Sequence, residues 1–437
     1  MIDKNTKKAP ANNAVLNTNA NALNTNVLNE NIKSHFIQAL QRPLSELASQ
    51  TEHVFVTGAG GFLGKAICKL LRLANIKVTG FARGSYPELT QMGVNMVQGD
   101  ITDFTCLKEA MKSCDLVFHV AAKAGVWGSK EDYFKPNVQG AENIIKACQE
   151  LAITRLVYTS TPSVTFAGVD EAGIDESQPY ANNFLNYYGE SKAVAEQLVL
   201  DASAHISVKQ VSQKTPHKGA RKVPQQKSIK IGSNVSESSF DNSFNPSFDH
   251  HLEDSFNNTQ LKTVALRPHL IWGPNDPHLV PRVLERARAG KLKLVGKEDK
   301  LVDTIFVDNA AYAHILAAIA LAKPDSKCIG KAYFISNDEP ITMAAMLNNI
   351  LHCAELPPVN KRVPSAVAYA VGATLECLYT LLNKKQEPMM TRFVARQLST
   401  CHYFDISAAK LDFGYTPLIS TEEGMQLLKA SLVDARY

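Results

Sequence analysis

The chain has 437 residues, a formal net charge of +4 and 45% hydrophobic residues. This length allows one large domain with an additional lobe, and the small net charge, without a basic stripe, argues against nucleic acid binding. Eight cysteines without a Cys-x-x-Cys pair argue against structural zinc and against a disulfide framework, and no metal site is predicted. The cysteine pattern and the absence of a secretion signal indicate a cytoplasmic protein.

Residues 1–50 are predicted to form a disordered or weakly helical leader. Residues 1–31 are rich in Asn, Ala and Thr, and few large apolar side chains are available to offset the entropy of ordering them. Residues 32–49 carry apolar side chains at helical spacing and predict a short helix that is interrupted at Pro43.

A glycine-rich turn follows the first predicted strand, His53–Val56, and precedes an apolar helix. In this context Gly58 permits a tight turn, Gly61 permits close approach of the backbone to a pyrophosphate, and Gly64 permits packing of the helix on the strand. The first helical residues, Phe62 and Leu63, present free N–H groups to that anion. The pattern predicts a dinucleotide site, and an ordinary glycine-rich turn is the alternative.

The residue that reads the adenosine ribose is expected just after the second strand, Ile76–Ala82. NAD-binding proteins usually have an acid there, whereas this chain has Arg83, which can face a 2′-phosphate. The sequence therefore favours NADP over NAD, unless Arg83 is only a solvated loop charge.

Two further strand ends are predicted to border the cofactor. Asp100 and Ile101 follow the third strand and are expected at the adenine, although Asp100 could instead cap the helix that begins near residue 103. The fourth strand ends at small residues, of which Ala121 leaves room for a ligand in the crevice of the sheet. His119, in the same strand, is predicted to be a core histidine rather than a catalyst.

The candidate catalytic residues are a strand-end hydroxyl and a tyrosine–lysine pair. The fifth strand ends in several hydroxyl residues, and Tyr188 and Lys192 lie four apart, on one face of a predicted helix. A nearby ammonium lowers the pKa of a tyrosine, which can then exchange a proton with a carbonyl or alcohol oxygen. Thr161 is predicted to donate a hydrogen bond to the same oxygen.

The second half of the chain contains two unusual segments. Residues 202–258 are rich in Ser, Asn, Gln and Lys and predict a disordered insertion within a dinucleotide-binding domain of residues 51–273, with a partner-binding loop as the alternative. Residues 274–437 are predicted to form mainly a substrate lobe that is interleaved with this domain. The apolar stretch 366–382 is short and contains an acid, so it predicts a buried or interfacial helix that lines an apolar channel, rather than a transmembrane span.

Together these motifs resemble the extended short-chain dehydrogenases/reductases, and within them the branch similar to the 3β-hydroxysteroid dehydrogenases/isomerases. The matching segments are residues 57–64, 100–101, 158–164, 188–192 and 266–274. The resemblance implies a doubly wound parallel α/β fold of the Rossmann type with a smaller C-terminal lobe. It also assigns the catalytic hydroxyl to Thr161, the last of three strand-end hydroxyl residues, rather than to Ser160 or Ser163.

Within this branch, residues 159–166, 185–188, 267–277, 301–309 and 388–393 resemble the 2-alkyl-3-oxoalkanoate reductases of bacterial long-chain olefin biosynthesis. This resemblance implies NADPH-dependent reduction of a long-chain 3-oxo acid beside thiolase-like and β-lactone-forming enzymes. It also implies a homodimer, with peripheral contact to a membrane left open. A hydroxysteroid or sterol dehydrogenase with the same catalytic residues is the main alternative, and a non-catalytic NADP sensor is the alternative of another class.

Overall fold

The computed structural model describes residues 12–212 and 261–434. Its strands are β1 (His53–Thr57), β2 (Lys77–Ala82), β3 (Asn95–Gln98), β4 (Leu116–His119), β5 (Arg155–Thr159), β6 (Glu171–Ile174), β7 (Lys262–Pro268), β8 (Ile271–Trp272), β9 (Leu294–Val295), β10 (Leu301–Val302), β11 (Ile305–Phe306), β12 (Lys331–Ile335), β13 (Ile341–Thr342), β14 (Arg362–Val363) and β15 (His402–Phe404). Its α-helices are α1 (Asn12–Gln50), α2 (Phe62–Leu73), α3 (Pro87–Gln91), α4 (Phe104–Ala110), α5 (Lys130–Phe134), α6 (Gly140–Glu150), α7 (Tyr187–Ser212), α8 (Leu279–Arg288), α9 (Val307–Ala322), α10 (Met343–Cys353), α11 (Ser365–Leu381), α12 (Arg392–Gln397), α13 (Ser407–Phe413) and α14 (Thr421–Asp434).

The central sheet has seven strands in the order β12-β7-β5-β4-β1-β2-β3. All neighbouring pairs in this sheet are parallel. The strand order reverses between β1 and β4, and this switch point is where doubly wound sheets bind ligands at the carboxyl ends of their strands. The predicted Rossmann-type α/β fold is confirmed.

Helices cover both faces of this sheet, which explains why its central strands are continuously apolar. All five residues of β1 are buried, as expected for a parallel strand with both faces covered. One face packs against α1, α2 and α9, and the other packs against α4, α6 and α7. The alanine-rich α9 is buried over most of its circumference, because α1 covers the side that would otherwise face water.

The leader differs from its sequence-based prediction. Helix α1 includes residues 12–31, where disorder was expected, and it continues through Pro43 instead of breaking there. In its second half, a stripe of apolar side chains is buried against the domain, comprising Ile32, Phe36, Leu40, Leu44 and Leu47. This packing offsets the hydrogen bond that proline cannot donate. Residues 1–11 lie outside the described part of the chain.

The predicted insertion falls largely outside the described residues, which stop at Ser212 and resume at Leu261. Helix α7 continues to Ser212, so residues 202–212 are helical, although the sequence placed them in a disordered insertion. Ala195 and Val199 pack their apolar side chains on the sheet, and the Ser203 hydroxyl bonds to Thr263. These contacts anchor the helix as far as Ser203.

Elements beyond residue 274 contribute both to the central sheet and to a separate lobe. Strand β12 forms the edge of the sheet beside β7. A second sheet with the order β13-β10-β15-β6 joins residues from both halves of the chain, and α11 packs on α12 beside it. Within residues 12–212 and 261–434, no helix has the length and apolar character that crossing a bilayer requires.

Candidate active site

The glycine turn after β1 is built so closely that larger residues would collide with the backbone. Gly58 has a φ of +64°, and an added Cβ would lie 2.8 Å from the Ala121 nitrogen at the end of β4. At Gly64 an added Cβ would lie 2.1 Å from the Gly58 oxygen, and at Gly61 the distance would be 3.1 Å. The three glycines therefore hold β1, α2 and the end of β4 in contact.

A threonine hydroxyl joins the two strands that flank the switch point. The Oγ1 atom of Thr57 accepts hydrogen bonds from the N–H groups of Val120 and Ala121, each at 3.0 Å. It also bonds to Nδ1 of His119 at 2.8 Å. Burial, aided by the charge of Lys192, lowers the pKa of His119 to about 3, which agrees with its predicted place in the core.

The start of α2 offers backbone donors to an anion. Gly61 precedes the helix without a side-chain cap, and its N–H group donates to the Gly58 carbonyl at 2.8 Å. Among the described residues, the next N–H group along the chain that has a partner is that of Lys65, which donates to the Gly61 carbonyl. The N–H groups of Phe62, Leu63 and Gly64 are therefore available, as in helix termini that bind phosphates. Both the donors and the tight glycine turn fit the pyrophosphate of a dinucleotide.

The residues predicted at the adenosine end lie close together after β2 and β3. Arg83 is exposed, and its charge contributes to a lowered pKa of Asp100, whose main cause is a hydrogen bond from the Thr102 backbone. The alternative that Asp100 caps helix α4 is wrong, because the Asp103 side chain accepts from Cys106 and is the cap. Ile101 is mostly buried, and an added Cβ on Gly140 would lie 2.6 Å from its Cδ1 atom.

The structure brings the strand-end hydroxyl and the tyrosine together. Thr161 follows β5 and is buried; its hydroxyl accepts from the Ser163 N–H at 3.2 Å. Tyr188, in the first turn of α7, lies near the Thr161 side chain, whose hydroxyl acts to lower the pKa of Tyr188 against the larger, opposite effect of burial. A carbonyl oxygen between the two hydroxyls would receive hydrogen bonds from both of them.

Lys192 is fixed one helical turn beyond Tyr188. It is buried, and its ammonium donates to the backbone carbonyl of Thr159 at 2.6 Å and lies 4.0 Å from the ring centre of Tyr158. Burial lowers the pKa of Lys192 to about 7, while the carboxylate of Glu196 opposes this shift. The lysine therefore lies beside the carboxyl end of β5, together with Thr161 and Tyr188.

The predicted electrostatic effect of Lys192 on Tyr188 is not found in this arrangement. Burial raises the pKa of Tyr188, and the hydrogen bond with Thr161 is what opposes the shift. The reason is geometric: the ammonium is directed to the Thr159 carbonyl and the Tyr158 ring rather than to the phenol. Here the group that favours the phenolate is the threonine hydroxyl.

Sequence reasoning missed Asn137, which connects the loop after β4 to helix α7. It is buried within a π-helical turn over Lys135–Gln139. Its Oδ1 accepts from the Lys123 N–H at 2.7 Å, and its Nδ2 donates to Ser191 Oγ at 2.9 Å. Ser191 precedes Lys192 and bonds back to the Tyr188 carbonyl, so Asn137 positions the turn that carries the predicted catalytic residues Tyr188 and Lys192. A lone asparagine in a helical sequence gives no signal of this role.

Sequence reasoning also missed a buried ion pair behind the site. Glu196 is fully buried on α7, and Arg267 of β7 donates to it through Nε and Nη2. Tyr180 adds a third donor, at 2.8 Å. The pair anchors the helix that carries Tyr188 and Lys192 to the sheet.

Comparisons with known proteins identify the family of this chain. The fold is that of a short-chain dehydrogenase/reductase. Residues 55–212 and 252–360 match the model of the 3-beta hydroxysteroid dehydrogenase/isomerase family, and the chain belongs to this family. It is therefore an oxidoreductase.

Two relatives and one solved structure illustrate the range of sequence identity among the similar proteins. A 2-alkyl-3-oxoalkanoate reductase of Shewanella oneidensis is 60% identical, over 90% of this chain and 89% of its own length. A decarboxylating sterol-4-alpha-carboxylate 3-dehydrogenase of Mus musculus is 30% identical, over 86% of this chain and 90% of its own length. A UDP-glucuronic acid 4-epimerase from Bacillus cereus in complex with NAD has a TM-score of 0.58 at 17% identity, covering 88% of this chain and 100% of that one.

Proposed function

We propose that this oxidoreductase uses NADPH to reduce a 2-alkyl-3-oxoalkanoate to the 2-alkyl-3-hydroxyalkanoate, as a step in long-chain olefin biosynthesis. The observation that carries the chemistry is the placement of Thr161, Tyr188 and the buried Lys192 together at the carboxyl end of β5. The substrate class comes from the relative that is 60% identical along nearly the whole chain. The sterol dehydrogenase relative, at 30% identity, supports the second candidate function, oxidation of a sterol, less strongly.

The residues present fit the dinucleotide along the crevice at the switch point. Backbone N–H groups of Phe62, Leu63 and Gly64 would hold the pyrophosphate, and Gly58 and Gly61 keep the turn open to it. At the adenosine end of the dinucleotide, Arg83 would face the 2′-phosphate of NADP. Asp100 and Ile101 would lie near the adenine, and Ala121 would border the crevice. When bound, the cofactor supplies the hydride that reduces the ketone carbon.

Three side chains then assist the reduction by transferring a proton, donating a hydrogen bond and holding the cofactor. The Tyr188 hydroxyl donates its proton to the ketone oxygen as charge develops there. The Thr161 hydroxyl donates a hydrogen bond to the same oxygen and so stabilises the developing alkoxide. Lys192, held by the Thr159 carbonyl, has further N–H groups with which it would hold the nicotinamide ribose.

The proposal also includes the enzymes of the neighbouring reactions, the oligomeric state and the location of this enzyme. A thiolase-like enzyme would supply the 3-oxo acid, and a β-lactone-forming enzyme would consume the 3-hydroxy acid. The enzyme would work as a homodimer in the cytoplasm.

A substrate panel tests the proposal directly. The purified protein is incubated with NADPH or NADH and with a 2-alkyl-3-oxoalkanoate, a 3-oxosteroid or a UDP-sugar, and products are identified by mass spectrometry. Because 3-oxo acids lose carbon dioxide readily, oxidation of the 2-alkyl-3-hydroxyalkanoate with NADP⁺ is measured in parallel. We expect turnover with the alkyl acid and NADPH, and a rate lower by about 10²–10⁴ in the Tyr188→Phe control. Preferential turnover of the steroid would select the second candidate, and cofactor binding without turnover of any substrate would select the NADP sensor.

A further inference from the structure

Helix α11 exposes a row of large apolar side chains. Its surface positions and the residue after it include Val367, Val371, Leu378, Leu381 and Leu382, which are between 46% and 76% exposed. Their spacing of three, four or seven residues places them along one side of the helix. No exposed residue of α11 carries a charge. An apolar surface of this extent indicates an interaction site in a protein that otherwise buries such side chains.

The opposite side of α11 is held firmly against the lobe. Glu376, the acid of this helix, faces inward and accepts from both the backbone and the side chain of Arg392 at 2.6 Å. At Gly372 an added Cβ would lie 2.6 Å from the Thr391 carbonyl carbon, so the two backbones are in close contact. The apolar side therefore faces outward because the inner side is fully used by packing.

Lysine residues lie at both ends of the apolar side of α11. Lys361 precedes the helix, and Lys384 and Lys385 follow it; all three are exposed. None of the three ammonium groups forms an ion pair with a residue in the described part of the chain. Met389, four residues after Lys385, is also 65% exposed. An uncharged apolar stripe flanked by lysines is the pattern of helices that lie in the plane of a membrane surface.

We propose that the exposed side of α11, with Lys361, Lys384 and Lys385, binds the surface of an anionic lipid bilayer. The helix would lie parallel to the bilayer, with its apolar side chains between the lipid chains and its lysines at the phosphate groups. A second copy of this chain is a poorer occupant. An antiparallel pair of α11 helices would bring Lys361 of one copy close to Lys384 and Lys385 of the other, and these like charges repel.

This surface lies beside the candidate active site. Tyr379 of α11 contacts the edge of Trp127, whose Nε1 donates to the Lys384 carbonyl at 3.0 Å. Tyr133 bonds to the Trp127 carbonyl, and its ring centre lies 6.4 Å from that of Tyr188. Bilayer binding would place the candidate active site close to the surface into which long-chain acids partition. This consequence rests on the proposed function, whereas the binding itself does not.

Vesicle sedimentation tests the proposal without any turnover. The full chain is mixed with vesicles of phosphatidylcholine alone or with added phosphatidylglycerol, and the sedimented fraction is measured at low and high salt. We expect binding to the anionic vesicles that weakens with salt. Two lysines near such a surface together raise the partition coefficient by a factor of roughly 30. The Lys384→Ala/Lys385→Ala variant should therefore bind more weakly by about that factor. Val371→Glu/Leu378→Glu should abolish binding.

Leu411→Glu is the matched control, because Leu411 is 82% exposed on α13, and it should bind like the parent chain. Thermal unfolding reports whether Val371→Glu/Leu378→Glu impairs folding. If it does, Lys384→Ala/Lys385→Ala still tests the proposal, because Lys384 and Lys385 are exposed. Failure of the parent chain to sediment with anionic vesicles would overturn the proposal. So would a concentration-dependent dimer, seen by analytical ultracentrifugation, that Val371→Glu/Leu378→Glu disrupts, because it would assign this side of α11 to a second copy.

Discussion

The guanidinium of Arg267 and the carboxylate of Glu196 form an ion pair that is almost completely shielded from water, with 4% and 0% exposed side chains. Glu196 lies one helical turn beyond Lys192 on α7, and Arg267 lies on β7. The pair therefore fixes the helix of the predicted catalytic side chains to the central sheet, and the carboxylate favours the charged form of Lys192.

Removing one partner of this pair should be strongly destabilising. We expect Glu196→Ala to lower the free energy of unfolding by about 3–5 kcal/mol, because the buried guanidinium is left without a counter-charge. Urea unfolding measures this loss. Glu109→Ala is the control: its ion pair with Lys112 is 69% and 57% exposed, so its effect should stay within about 1 kcal/mol. Equal effects of the two substitutions would show that the buried pair does not anchor α7.

Tyr188→Phe should separate proton transfer from cofactor binding. The substitution keeps the ring and its packing beside Tyr133 but removes the hydroxyl. We expect the reduction rate to fall by about 10²–10⁴, the usual contribution of a general acid, while the affinity for NADPH, measured by fluorescence titration, is retained. Tyr187→Phe, at an exposed neighbouring position, is the control. A Tyr188→Phe enzyme with nearly parental turnover would contradict the mechanism.

Thr161 is expected to act through its hydroxyl alone. Thr161→Ala should lower kcat by up to about 10²–10³ if the hydroxyl is a main donor to the developing oxyanion. Thr161→Ser should retain much of the activity, because it keeps the hydroxyl. Ser163→Ala serves as the control, since Ser163 contacts Thr161 and tests whether the neighbouring hydroxyl is required. If the alanine and serine variants at Thr161 lost activity equally, packing rather than hydrogen bonding would explain the loss.

Arg83 should distinguish the two nicotinamide cofactors. Arg83→Ala is expected to weaken NADPH binding by about 1.5–3 kcal/mol, the contribution of a hydrogen bond to a charged group, and to leave NADH nearly unchanged. Titration of both cofactors measures the difference, with Lys112→Ala as an exposed control cation in the same domain. Equal losses for NADPH and NADH would mean that Arg83 does not contact the 2′-phosphate.

Glu171 should make stability depend on pH. Burial raises its pKa to about 7, although Thr165 and Arg267 oppose the shift. Between its unfolded pKa near 4.3 and about 7, the unfolded chain ionises this carboxyl while the folded chain keeps it protonated. Stability from this group is therefore present at acidic pH and lost as pH rises through 7, by on the order of 3 kcal/mol.

Urea unfolding of Glu171→Gln and of the parent at several pH values checks this prediction. The variant cannot ionise at this position, so its stability relative to the parent should increase from about pH 4 to pH 8. Glu109→Gln, at an exposed position, should show no such trend. A constant difference between Glu171→Gln and the parent would indicate that Glu171 titrates at an ordinary pKa.

The sequence alone was sufficient for the class of fold, and it also predicted candidate site residues. The turn from Gly58 to Gly64 needs glycine for reasons of local geometry, and the residue spacing places Tyr188 and Lys192 on one helical face. The apolar runs of β1 and β4 predict strands covered on both faces. Such features depend on neighbours within a few residues, which is why they can be recognised without the fold. The roles of Thr161, Tyr188, Lys192, Arg83 and Asp100 in catalysis and cofactor binding stay predictions.

The tertiary structure decided the features that depend on contacts between distant residues. The stripe from Ile32 to Leu47 keeps α1 helical through Pro43 because α9 and its neighbours cover it, which the composition of the leader could not indicate. Asn137 reaches Ser191 and Glu196 reaches Arg267 across more than fifty residues of chain. The direction of the Lys192 ammonium, toward Thr159 rather than Tyr188, likewise follows from where β5 ends beside α7. Helical spacing fixes which residues share a face, but only packing fixes which groups on that face meet.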